Sequence, residues 1–153
     1  MKTPDFIVRF KTIILVGDNF VDNDVHRRLL ESMNIADKFM VFSNALEAIN
    51  HLTLISKIEN TDKTEIELII LELSIPVMDA WYFIELFKIV CTVSHPNAKI
   101  IIISDIFTEM DIERMRSEPL VSCFIKKPLT SNKIIDCLKN SLAFRPKSNT
   151  SKS

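Results

Sequence analysis

A chain of 153 residues is one domain of ordinary size, large enough to bury a core without disulfide or metal staples and too short for a second folded unit. Its 19 lysines and arginines against 20 aspartates and glutamates leave a net charge of −1, which gives no electrostatic reason to expect nucleic acid or an anionic membrane as partner. The opening MKTPDFIVRFK has no signal-peptide core, no later run reaches membrane-span length, and Cys91, Cys123 and Cys137 form no CxxC pair, which suits reduced thiols in a cytoplasmic protein.

In chain order, short runs rich in isoleucine and valine at Thr12–Val16, Phe39–Phe42, Leu68–Leu73, Ile100–Ile103 and Cys123–Ile125 read as strands buried on both faces. After each one the period changes to that of a helix. Val25, Leu29 and Met33 share a face, as do Ala45, Ile49 and Leu52, and then Ile84, Phe87 and Cys91. A short, weakly patterned helix spans Thr108–Arg116, and the last stacks Ile134, Leu138 and Leu142 behind Ser131 as N-cap. KIENTDKTE, residues 57–65, reads as a polar loop, and residues 143–153 as a disordered tail behind a domain at 11–142. Gly17 is the only glycine, so most turns fall to Asn, Asp, Ser and Pro.

Five strand-helix units of this kind predict an α/β fold with a doubly wound, five-stranded parallel sheet and helices on both faces. Chemistry on such a sheet gathers beyond the carboxyl ends of the strands. Those ends carry Gly17 and Asp18, Glu72, Ser104 and Asp105, and Lys127 before Pro128. In their order and spacing, and in the stretches IPVMDAWYFIELFK and KKPLT, they resemble the receiver domain of two-component response regulators over residues 11–142. The resemblance implies the flavodoxin-like strand order 2-1-3-4-5. It also matches Asp18 to the second residue of the family's acidic pair, Ser104 to its switch hydroxyl and Lys127 to its lysine. Phe124 falls where the family often carries an aromatic that follows the activation state; the alternative is an ordinary half-buried strand phenylalanine.

Two positions depart from that pattern. Gly17 stands in place of the first acidic residue, and Glu72 in place of the aspartate that accepts a phosphoryl group. In-line transfer needs a carboxylate held in register with the donor phosphorus, with a metal and a cation on the equatorial oxygens. The extra methylene of glutamate moves its carboxylate out by roughly 1.5 Å. Glu72 is therefore expected to pair with Lys127 near Ser104 inside an acidic pocket made with Asp18. The alternative is a strand-end ion pair with no switching role. Asp18 either caps the first helix or ligates a weakly bound Mg2+, so the cofactor expectation is none or weak Mg2+.

The leading functional expectation is a stand-alone degenerate receiver domain, not an enzyme, acting in signal transduction by binding. Its partner is expected to be a signalling protein, either a histidine kinase or a downstream target. The surface implied by the resemblance is the fourth helix, fifth strand and fifth helix, with Ile106, Phe107, Met110, Ile112 and Met115 supplying apolar contact and the chain a monomer or weak dimer. A phosphorelay receiver with a non-standard acceptor, Glu72 or Asp18, is the second reading. A small hydrolase or nucleotide-binding enzyme is the third, and a chain with one glycine cannot build a glycine-rich phosphate loop. Lys126 and the three histidines are expected in solvated or core roles, and Trp81 in packing of the third helix.

Overall fold

The structure, a computed structural model, describes residues 9–56, 66–75 and 78–141. Five strands, β1 (Phe10–Val16), β2 (Ala36–Phe42), β3 (Leu68–Glu72), β4 (Lys99–Ser104) and β5 (Val121–Lys126), alternate with α1 (Phe20–Ser32), α2 (Ala45–Ser56), α3 (Ala80–Val90), α4 (Glu109–Arg116) and α5 (Ser131–Asn140). All strand pairs are parallel, in the order β2-β1-β3-β4-β5. Both the fold class and the strand order expected from the sequence are what the chain adopts. The loop expected at 57–65, the tail at 143–153 and Leu142 lie outside the described residues.

Because β1, β3 and β4 are central, their isoleucines and leucines pack alternately on both faces. Ile14, Val16, Ile69, Leu71, Ile100 and Ile102 face α2 and α3, where Ile49, Leu52, Phe83 and Phe87 complete one core. Ile13, Leu15, Leu68, Ile70, Ile101 and Ile103 face α1 and α5 and meet Leu30, Met33, Ile134 and Leu138 in the other. Burial on both faces holds only for the central strands. β2 and β5 are the sheet edges, where three residues of β2 and two of β5 are exposed.

Tertiary packing also corrects the register of α1. Its buried residues are Asn23, His26 and Leu30, with Met33 at the C-cap, whereas Val25 is exposed and Leu29 only partly buried. Valine at 25 set the apolar period in the sequence, but the helix presents the polar Asn23 and His26 to the sheet. Caps differ by one residue as well: Thr130, not Ser131, caps α5, its hydroxyl accepting from Lys133 N. Among the described residues the one positive φ belongs to Asn34, in the turn leaving α1. Gly17 does not have a positive φ.

The cysteine reading is corrected too. Cys123 on β5 and Cys137 on α5 form a disulfide, with Cα atoms 6.2 Å apart, because α5 folds back over the strand it follows. Cys91 is buried at the C-cap of α3. No helix among the described residues is long and apolar enough to cross a membrane.

Candidate functional site

At the carboxyl end of the sheet, an open pocket of about 240 Å³ is lined by Asp18, Asn19, Asp22, Glu72, Ser74, Ser104, Asp105 and Lys127. The four polar positions expected to converge, 18, 72, 104 and 127, all reach it. Parallel register explains the gathering. β1 and β3 pair through Val16 and Leu71, β3 and β4 through Glu72 and Ile103, and β4 and β5 through Ser104 and Lys126, so neighbouring strands end at one level.

Glu72 ends β3 with its side chain 10% exposed, and its carboxylate Oε1 is in direct ion-pair contact with Lys127 Nζ, 15% exposed. Nζ also donates to Asp22 Oδ2 at 3.3 Å. One ammonium therefore serves two carboxylates in a half-closed site, where the surrounding protein lowers the effective dielectric and strengthens the pairing relative to a surface contact. Lys127 is anchored from behind, its backbone N–H donating to Ser104 O at 2.9 Å, and the Lys127–Pro128 peptide is cis.

The lone glycine is explained by space. A Cβ at residue 17 would lie 2.9 Å from Glu72 Oε2 and 2.8 Å from Asn23 Oδ1, closer than real Cβ atoms come. The longer acidic side chain on β3 thus occupies room that a side chain on β1 would otherwise fill. Asn23 closes the same corner, donating from Nδ2 to Gly17 O at 2.7 Å.

Asp22 was missed as a site residue because, inside DNFVDN, it reads as a capping residue. The N-cap is Asn19, whose Oδ1 accepts from Asp22 N at 2.9 Å, so neither Asp18, Asp22 nor Asn23 caps α1. The available signal was spacing: four residues beyond Asp18, Asp22 falls on the first turn of a helix that opens at the pocket. Asp22 adds to the pocket a carboxylate beside Lys127 that the strand ends alone did not supply. His26, one turn further along α1, is buried, and burial chiefly lowers its pKa from 6.5; Asp22 opposes this and Lys127 adds to it.

Ser104 lines the pocket, but its hydroxyl donates to Ile106 O at 2.9 Å and so holds the β4–α4 loop. Phe124 is 37% exposed and tilts against Phe107, ring centroids 5.1 Å apart. The apolar set expected for docking divides: Ile106 and Met110 are exposed, Phe107 and Ile112 pack partly onto the core, and Met115 is buried in it. Trp81 packs on the same core beneath the Arg114 guanidinium, 4.6 Å from its ring centroid.

Mg2+ takes near-octahedral oxygen ligation, with one or two carboxylates turned toward the ion. Here Glu72 and Asp22 turn toward the Lys127 ammonium, Gly17 supplies no carboxylate, and Asp18 stands exposed at the mouth. Among the described residues no three His, Cys, Asp or Glu side chains are grouped to hold a metal ion. The residues present do not fit a resident divalent ion, because the ammonium takes the cationic position.

No protein-family model matches the chain, and no curated protein matches its sequence. Solved structures do. A two-component response regulator from Cytophaga hutchinsonii is similar with a TM-score of 0.73 at 17% identity, covering 86% of this chain and 96% of its own. A response regulator receiver protein from Dyadobacter fermentans is similar at 0.71 and 22% identity, covering 89% and 99%. The receiver domain of the histidine kinase CKI1 from Arabidopsis thaliana, complexed with Mg2+, gives 0.71 at 20%, covering 88% and 94%. From its first strand to its last helix, the chain has the fold of response regulator receiver domains.

Proposed function

We propose that this chain is a degenerate receiver domain that acts in signal transduction by binding another signalling protein, without accepting a phosphoryl group. The observation that carries this reading is the Glu72–Lys127 ion pair seated in the space above Gly17. In a receiver that takes a phosphoryl group, a lysine at this position would stabilise the incoming oxygens. Here it is already neutralised by Glu72 and Asp22. The pair holds Lys127 in one place without phosphate, which biases the domain toward one conformation. Output then lies in recognition through α4, β5 and α5, where Ile106, Met110 and Phe124 reach the surface. Ser104 lines the pocket, and Phe124 packs against Phe107 at the surface of β5.

Phosphodonor labelling tests the proposal. Purified protein incubated with phosphoramidate or acetyl phosphate and Mg2+ is expected to show no added phosphoryl group by intact mass. Stoichiometric, acid-labile modification mapped to Glu72 or Asp18 would establish a phosphorelay receiver with a non-standard acceptor and overturn it.

A further inference from the structure

The edge of the sheet opposite β2 carries chemistry that the pocket does not use. Cys123 on β5 packs against the core shared with α1 and α5, and Cys137 lies on the buried stripe of α5 with Ile134 and Leu138. Their Cα separation of 6.2 Å lies within the range two cysteines bridge without backbone movement. An open cleft of about 360 Å³ gives access to them, lined also by Lys126, Lys133 and Asp136. Cys91 is fully buried on the other side of the sheet, in the core beneath α3.

We infer that Cys123 and Cys137 form a reversible thiol–disulfide site, acted on by a small disulfide of the glutathione class. The Cys123 thiolate attacks one sulfur of glutathione disulfide, giving a mixed disulfide and one glutathione thiolate. The Cys137 thiolate then attacks the Cys123 sulfur, closing the intramolecular bond and releasing the second glutathione. Two protein thiols lose two electrons and two protons in total, and the oxidant becomes two thiols. A dithiol reductant reverses the sequence.

The bond does more than join two elements, because the segment it closes contains Lys127. Residues 123 and 137 are 14 apart, and within them lie the end of β5, Lys127, Pro128 and the Thr130 cap of α5. Lys133 already braces this turn, its ammonium donating to Lys126 O at 2.8 Å and Pro128 O at 3.0 Å. Oxidation adds a covalent brace at the base of the same turn, and reduction leaves it to hydrogen bonds. The redox state of the cleft thus sets how firmly Lys127 is presented to Glu72, whether or not the pocket accepts a phosphoryl group.

The test uses the whole chain, reduced, freed of reductant and then exposed to glutathione disulfide. Thiols titrated after denaturation are expected to fall from the three of the sequence to one, with a peptide map joining Cys123 to Cys137. Closing a loop of this size is expected to raise Tm by roughly 5–10 °C. Amide hydrogen exchange across residues 126–130 is expected to slow several-fold, and dithiothreitol to restore the starting state. Cys137→Ser should abolish every effect. Retention of three thiols, a bond to Cys91, or a disulfide that dithiothreitol does not open in the folded protein would overturn the site, on wild-type protein alone. Unchanged exchange across 126–130 after the bond forms would overturn its coupling to Lys127.

Discussion

A methyl group added at residue 17 would press on the ends of two flexible side chains, Glu72 and Asn23, so the fold could relieve it by moving either. The cost is then the displaced contacts: Asn23 would lose its bond to Gly17 O, or Glu72 its alignment with Lys127. Gly17→Ala is predicted to destabilise the chain by about 1–2 kcal/mol. Retracting the carboxylate with Glu72→Asp should recover about 0.5–1 kcal/mol of that loss, a non-additivity readable by denaturant titration. Strictly additive effects would mean that residues 17 and 72 do not share this space. The sequence makes Gly17 conspicuous as the only glycine but cannot say why, since a need for positive φ and a need for room look identical in one chain. His26 belongs to the same scale. Burial lowers its folded pKa below the unfolded value of 6.5, so the unfolded chain takes up a proton first as pH falls. Stability is predicted to fall below about pH 6.5, more steeply in wild type than in His26→Gln. Parallel Tm–pH curves for the two would remove His26 as the cause.

Among the elements, α4 is the shortest helix and depends most on its ends. Thr108 Oγ1 accepts from Asp111 N at 3.1 Å while Asp111 Oδ2 accepts from Thr108 N at 3.0 Å, a reciprocal capping box. Acidic residues fill its first turn and Arg114 and Arg116 its last, matching the helix dipole. Its other ties are Met115 in the core, Arg114 over Trp81, and a Lys88–Glu118 ion pair joining α3 to the turn after α4. Thr108→Ala is predicted to cost about 1 kcal/mol, or roughly 2–4 °C in Tm, and to speed amide exchange in α4 before other helices. Uniform exchange across the helices would show that α4 does not rely on its cap. A short, weak pattern in the sequence placed this helix at Thr108–Arg116, and its cap emerged only with the structure. The face of α1 was not legible in the sequence. Its inward residues, Asn23 and His26, are polar, and only their closeness to Gly17, Asp22 and Lys127 explains their burial.

For the whole molecule, the alternation of strand and helix periods was enough to read the parallel sheet, because each central strand is a continuous apolar run, whereas its order came from the resemblance to receiver domains. Edge strands were overstated, since an isoleucine-rich run looks the same at the centre as at the rim. Convergence of 18, 72, 104 and 127 followed from strand ends alone, whereas Asp22 and the Cys123–Cys137 bond depend on how α1 and α5 lie against the sheet. In this chain the pocket's cationic position is filled from within, by Lys127 between Glu72 and Asp22. A double-mutant cycle on Glu72→Gln and Lys127→Met, read by denaturant unfolding, tests that claim most directly. Lys127→Met alone strands two carboxylates in a half-buried site and is predicted to cost about 2–4 kcal/mol, with at least 1 kcal/mol recovered when Glu72→Gln is added. Two losses that simply add would mean that the acid and the ammonium do not hold each other, and would contradict the account.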